Sequence, residues 1–200
     1  MKNKIFLTFF FIFFLSLFQN ESKAYSSDPK QFISEIVEEA KKILVATNSK
    51  EIKEKKLGEM AMKVADIKGI GFYTLGKYRK NLNEEQLKEY SVLFEKYFLK
   101  SFTSRLSDYS DPKIDVLTAE VVNPKYTIVK SLLIATEKKP EVKIDWRVYT
   151  KDPENPLIRD LIVEGLSLAR TQKEEFASVI ESNDGDVTKL FEKLKLFINK

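Results

Sequence analysis

VKIDWRVYTKDPENPLIRDLIVEGLSLARTQKEEFASVI, residues 142–180, decides the fold class. Its first eight residues alternate. Val142, Ile144, Trp146 and Val148 fall on one side of an extended chain, and Lys143, Asp145, Arg147 and Tyr149 on the other, the pattern of a strand with one face in a core. A proline-containing loop, Lys151 to Pro156, leads to a second extended run, Leu157 to Val163. Past Gly165 the period becomes helical, with Phe176, Val179 and Ile180 inward.

Working outward toward the N-terminus, Lys113 to Val122 and Tyr126 to Thr136 are rich in β-branched residues and are broken at Asn123-Pro124, which predicts a hairpin. The polar turn Glu137-Lys138-Lys139-Pro140 joins it to the strand at Val142. Before Asp111-Pro112 the chain reads as helical. Asp28 caps a helix with Pro29 at its first position and Gln31 completing a capping box; Phe32, Ile33, Ile36, Val37, Ala40, Ile43 and Leu44 share one face up to about Ala46. A second helix starts at Ser49 and turns Ile52, Leu57, Met60, Ala61 and Val64 inward. Asn83, with Gln86 three residues on, starts a long helix whose stripe is Leu87, Tyr90, Phe94, Tyr97, Phe98, Phe102 and Leu106.

Between these helices lies Ile67 to Tyr78, IKGIGFYTLGKY. No strand precedes Gly69, Gly71 and Gly76 and no P-loop lysine follows them, so they do not form a phosphate-binding fingerprint. A short or broken helix, in which small residues permit close packing, is the expectation. Downstream, Asn183-Asp184-Gly185 ends one helix, and Val187 to Ile198 closes the chain with Leu190, Leu194 and Phe197. Helices, then a meander, then helices predict one α+β domain: helices packed on one face of a mainly antiparallel sheet of about four strands.

Lys2 and Lys4 precede the apolar run Ile5 to Phe18, and Ser22-Lys23-Ala24 offers small residues for cleavage, the layout of a secretory signal peptide. The run is shorter than the roughly 20 residues that span a bilayer. Residues 1–24 are therefore expected to be removed, leaving a single domain over 25–200. The whole chain carries 34 basic and 30 acidic residues, a balance that argues against a nucleic-acid footprint. It has no cysteine and no histidine. That excludes disulfides, a thiol nucleophile, a lipid-modified cysteine, the usual proton shuttle and the commonest zinc ligand.

An enzyme would have to use carboxylates, Lys, Tyr or Ser. Asp160 and Glu164, four residues apart on a strand, are roughly 13 Å from each other, too far for a catalytic pair, so structural hydrogen bonding is the better reading. Asp145 and Tyr149 alternate to the polar face with Lys143 and Arg147, away from any buried catalytic position. Lys77, Arg79 and Lys80 beside the glycine segment read most simply as surface charge. A secreted enzyme with a cone-shaped pocket and a secreted adaptor with a filled core both stay open on these grounds.

Val163-Glu164-Gly165-Leu166-Ser167-Leu168 resembles the signature of the MlaC/toluene-tolerance family. Leu75-Gly76-Lys77-Tyr78-Arg79 is similar to that family's aromatic segment, Asn83 to Asp108 to the helix after it, and Gly185-Asp186 with Leu190 and Leu194 to its closing helix. The family often has Trp-x-x-x-Asp before the signature; here Leu157 stands near the Trp position and Asp160 keeps the acid. The resemblance implies a nuclear-transport-factor-like sheet and helices opened around acyl chains. It further implies a non-enzymatic, monomeric periplasmic carrier of a diacyl phospholipid, without cofactor or metal. Such a carrier passes lipid between an inner-membrane ABC transporter with an MCE-domain subunit and an outer-membrane lipoprotein, maintaining outer-membrane lipid asymmetry. On this resemblance the expected lipid contacts are Phe72, Leu75, Tyr78, Phe94, Phe98 and Phe102 from the helices, and Trp146, Val148, Ile162, Leu166 and Phe176 from the sheet side.

Overall fold

The alternation read from Val142 becomes a strand because one side of it can be buried against helices while the other keeps its charges accessible. In the computed structural model, described for residues 24–137 and 140–200, five strands form one antiparallel sheet in sequential order. They are β1 (Ile114–Asn123), β2 (Tyr126–Leu133), β3 (Val142–Tyr149), β4 (Leu157–Val163) and β5 (Leu166–Ser167). The expected leader over residues 1–24 lies, apart from Ala24, outside the described residues, as do Lys138 and Lys139 of the polar turn.

Pairing sets the two faces. Val129 opposes Trp146, Thr127 opposes Val148 and Ser131 opposes Ile144, and helices α1 (Pro29–Val45) and α2 (Lys50–Val64) cover this side. Phe32, Ile33, Ile36, Val37, Leu44, Leu57, Met60 and Val64 pack there with Val129, Val148 and Ile158. Each such side chain contributes about 1.5–3 kcal/mol by leaving water. Two polar groups on this buried face satisfy one another: Trp146 Nε1 donates to Ser131 Oγ at 2.8 Å, and Ser131 Oγ donates to the Ile144 carbonyl at 2.9 Å.

A second apolar cluster is purely helical in its buried members. It gathers α3 (Ile67–Thr74), a 3₁₀ turn (Gly76–Asn81), α4 (Glu84–Leu106), α5 (Leu168–Glu181) and α6 (Val187–Ile198) around Leu75, Tyr90, Phe94, Phe176, Ile180, Leu190 and Phe191. The broken helix expected from IKGIGFYTLGKY is α3 followed by the 3₁₀ turn, and its close approach is real. A Cβ on Gly71 would lie 2.7 Å from Phe94 Cδ1. The long helix α4 serves both clusters, with Tyr90 and Phe94 in one and Leu106 packed against the other.

Three expectations need correction. Asp28 caps α1 by accepting from Gln31 N, but the Gln31 side chain reaches Glu35 and the Asp28 N–H bonds to Ser26 Oγ, so the reciprocal capping box does not form. Ile52 is exposed, because the first turn of α2 projects past the sheet-facing residues Leu57, Met60 and Val64. The sheet has a fifth, two-residue strand, folded back on β4 by the turn at Glu164-Gly165.

Candidate functional site

A cleft of about 400 Å³ opens against the sheet face that α1 and α2 leave uncovered. Gly69, Ile70 and Tyr73 of α3 and Ala169 at the start of α5 form one wall. Val122 and Asn123 of β1, Tyr126 and Ile128 of β2, Arg147 of β3, and Arg159 and Asp160 of β4 form the other.

Arg159 reaches this wall through a bulge. Arg147 pairs with Asp160 and Val148 with Ile158, so Arg159 is an extra residue in β4, and such an insertion re-aims a side chain. Its guanidinium donates to Asp66 Oδ2 from Nε at 2.7 Å and lies 2.5 Å from the same oxygen at Nη2; Nη1 donates to Tyr126 Oη at 3.0 Å. The guanidinium also lies 3.8 Å from the centre of the Tyr149 ring. Burial alone would lower the Arg159 pKa, but the bonds to Tyr126 and Asp66 outweigh it and raise the value. Asp66 is at the same time the N-cap of α3, accepting from Gly69 N at 2.8 Å, and its own N–H donates to the Ile158 carbonyl at 3.0 Å. One residue thus ties α3 to β4 through both backbone and side chain.

Asp160, 5% exposed, ties α5 to β4. Its Oδ2 accepts from Ser167 Oγ at 2.5 Å and its Oδ1 from Ala169 N at 3.0 Å. Ser167 in turn caps α5 by accepting from Arg170 N at 3.0 Å. A carboxylate at the positive end of a helix is favoured electrostatically. Glu164 adopts φ 49° and Gly165 φ 80°, the left-handed pair that a two-residue hairpin turn requires. Nothing lies within 4 Å of a Cβ built on Gly165, so glycine is needed there for its backbone and not for space. The Glu164 carboxylate accepts from Lys143 N at 2.5 Å. Structural hydrogen bonding therefore accounts for both Asp160 and Glu164, as the spacing suggested.

The eleven expected lipid contacts are not brought together around this cleft; none of them lines it. Leu75, Tyr78, Phe94 and Phe176 are buried in the helical cluster, with Phe72 and Phe98 packed against it. Phe102 stacks on Phe98 at 5.9 Å between ring centres. Trp146 and Val148 belong to the α1/α2 side of the sheet. Ile162, opposite Asp145, is half-buried on the other side, and Leu166 is 69% exposed.

Sequence reasoning missed the cleft residues Ile70, Tyr73, Tyr126, Ile128, Arg147 and Arg159. The polar side of β3 was their available signal: Arg147 and Tyr149 stand there, and the helical layer overhangs part of what alternation marks as solvent-facing. Of the cations beside the glycine segment, Lys77 Nζ lies 3.0 Å from Glu181 Oε1, and Arg79 sits 4.3 Å from the Phe72 ring centre. Both are engaged by the protein's own groups. Among the described residues no cluster of three metal-ligating side chains occurs, no helix is long and apolar enough to cross a membrane, and no buried side-chain polar atom lacks a partner.

No curated protein sequence matches this one. Among solved structures, the fold is similar to the phospholipid-binding protein from Ralstonia solanacearum, whose structure is in complex with a phospholipid. The identity is 18%, the match covers 87% of this chain and 97% of that one, and the TM-score is 0.71. At that identity the likeness establishes the fold, including the sheet and its helical layer. The MlaC protein family matches residues 18–196, a span that takes in both apolar clusters, the cleft between α3 and the sheet, and the Glu164-Gly165 turn. The chain belongs to the MlaC family.

Proposed function

We propose that the protein is a periplasmic phospholipid carrier, exported by its leader and cleaved near Ala24. The family match over residues 18–196 carries this reading, supported by a fold shared with a protein that binds a phospholipid. In this reading the protein docks by turns on an inner-membrane ABC transporter with an MCE-domain subunit and on an outer-membrane lipoprotein. It acts without chemistry. The carboxylates nearest the cleft are consumed in tying helices to β4, which suits a carrier better than an acid–base catalyst.

The energetics also suit it. At about 0.8 kcal/mol per methylene, two acyl chains of roughly 15 methylenes represent over 20 kcal/mol of transfer from water. Bilayer and protein both exclude water, so exchange between them can be close to thermoneutral, with direction supplied by the docking partners. A 400 Å³ cleft lies toward the small end of small-molecule sites, roughly 300–1,000 Å³. A two-chain lipid therefore widens it, and the acyl chains pass between the helical layer and the sheet. Of the expected contacts, Phe72, Phe98, Phe102, Trp146 and Ile162 are half-buried and can meet a chain with little repacking. Leu75, Tyr78, Phe94, Val148 and Phe176 are buried now and meet it only as the layers part, while Leu166 meets it at the surface.

Native mass spectrometry of the exported protein, with lipid extraction, tests the proposal. Diacyl phospholipid at near-stoichiometric occupancy is the expected result. Protein that is empty and also refuses lipid from vesicles refutes it.

A further inference from the structure

Two guanidinium groups line the cleft, and they are not equivalent. Arg159 is committed to Asp66, Tyr126 and Tyr149. Arg147 is not. It stands in β3 opposite Ile128 on one side and Asp160 on the other, and among the described residues no acceptor lies within hydrogen-bond distance of its side chain. The nearest carboxylate oxygen, Asp160 Oδ2, is 3.9 Å from Arg147 Nη1, beyond hydrogen-bond reach. That oxygen already accepts from Ser167, and its twin accepts from the Ala169 N–H at the start of α5.

The two arginines of the cleft are matched in number by Asp66 and Asp160, but the two pairs differ in closeness: 2.5 Å for Arg159 and 3.9 Å for Arg147. Asp66 neutralises Arg159, and Asp160 is shared between the helix start and the distant Arg147. Around these groups the lining is apolar: Ile70, Tyr73, Val122, Ile128 and Ala169. With 44% of its side chain exposed, Arg147 keeps part of its guanidinium in reach of solvent. An unsaturated planar fork of donors suits the paired oxygens of a phosphate. A cleft with apolar walls and one such fork takes a molecule with a single anionic group and an apolar body.

We propose that Arg147 binds the phosphate diester of the carried phospholipid, fixing which end of the lipid enters the cleft and selecting phospholipid over neutral diacylglycerol. This rests on the carrier reading. The same fork can hold free phosphate, so the experiment separates the two sources. Wild-type protein and the variants Arg147→Gln and Arg147→Lys, each checked for native circular dichroism, are loaded from vesicles holding equal phosphatidylglycerol and diacylglycerol. Native mass spectrometry reads the ratio bound.

The wild type is expected to favour phosphatidylglycerol by roughly tenfold or more, the scale of one net charge-assisted contact. In Arg147→Gln the ratio falls toward one while total lipid occupancy persists, and Arg147→Lys lies between. An Arg147→Gln variant with the wild-type ratio, or a wild type with no preference, overturns the assignment. If the wild type takes neither lipid, the carrier reading fails instead, and titration with inorganic phosphate followed by amide chemical shifts decides the site. Shifts around the cleft that vanish in Arg147→Gln keep the anion site and reassign it to free phosphate; their absence overturns it.

Discussion

Gly71→Ala sets two effects of opposite sign against each other. Replacing a mid-helix glycine by alanine ordinarily stabilises a helix by about 0.8–1.0 kcal/mol. Here the new methyl would sit 2.7 Å from Phe94 Cδ1 and 3.0 Å from Cγ, well inside the 3.4 Å at which ordinary contact begins. The ring has nowhere to go. Phe94 is 2% exposed and its ring centre lies 5.8–6.3 Å from those of Tyr90, Tyr97, Phe98 and Phe176. Overpacking of such a site costs about 1–3 kcal/mol, so the steric cost outweighs the propensity gain and a net loss of up to about 2 kcal/mol is expected. Because α3 is held against α4 on one side and forms a cleft wall on the other, pushing it off Phe94 moves Ile70 and Tyr73 into the cleft, and lipid uptake should fall as well. Urea unfolding measures the first effect as a lower midpoint at unchanged slope. In Gly71→Ala/Phe94→Leu, where the ring is gone, the alanine should no longer destabilise. A Gly71→Ala protein as stable as wild type, or more so, refutes the reasoning.

Asp160→Ala removes the acceptor for Ser167 and for the Ala169 N–H and is expected to cost about 2–4 kcal/mol, since bonds to a charged group are worth roughly 1.5–3 kcal/mol each and the desolvation of the carboxylate is regained; a melting temperature within experimental error of wild type counts against it. Gly69→Ala would place a Cβ 2.6 Å from Asp66 Cγ, displacing the carboxylate that both caps α3 and holds Arg159. Its effect should therefore be strongly non-additive with Arg159→Met in a double-mutant cycle, whereas simple additivity would show that the tie between α3 and β4 carries no energy. Burial pushes the hydroxyl pKa values of Tyr25, Tyr90 and Tyr97 up from about 10, so above pH 10 the unfolded chain releases protons that the folded one retains, and stability present below pH 10 is lost as pH rises further. Tyr90→Phe should make that alkaline loss shallower, with Thr74 Oγ1 still donating to the Gly71 carbonyl; an unchanged pH slope would be the contrary result.

Periodicity made the elements legible. The Asn83 capping box and α4 stand where the caps placed them, with Asn83 Oδ1 accepting from Gln86 N at 2.9 Å and Gln86 Oε1 from Asn83 N at 3.0 Å. β3 keeps its apolar side inward from Val142 to Val148, and the glycine segment packs closely as expected. The two-residue β5 was not legible, because Leu166-Ser167 is too short to show alternation and depends on the positive φ of Glu164 and Gly165. The cleft was harder still. Alternation tells which side of a strand is polar, but not that a helical layer from elsewhere in the chain overhangs that side. Arg147 therefore fell on the polar face with Lys143 and Asp145, and Arg159 drew no reading at all. The extra residue in β4 that aims Arg159 at Asp66 leaves no mark in composition. The aromatic stripe of α4 was read correctly as inward, but inward led to a filled helical cluster for Tyr90 and Phe94, while Tyr97, Phe98 and Phe102 stay half-buried.

The two apolar clusters share no buried residue, and this gives the molecule two separate reservoirs of cooperativity. Amide protons in α1, α2 and the central strands should exchange with deuterium as one group, and those of α3, α5 and α6 as another, each slowed by its own interior. The helix α4 packs against both groups, and along the seam between α3, α5 and the sheet the polar ties among the described residues include the Asp66 and Arg159 pair, the Asp66 N–H to Ile158, and the Asp160 contacts to the head of α5. On the carrier reading, a guest entering along that seam would break local bonds while both interiors stay dry, so admission would be a sub-global event whose cost is set largely by those polar contacts and not by the stability of the whole chain.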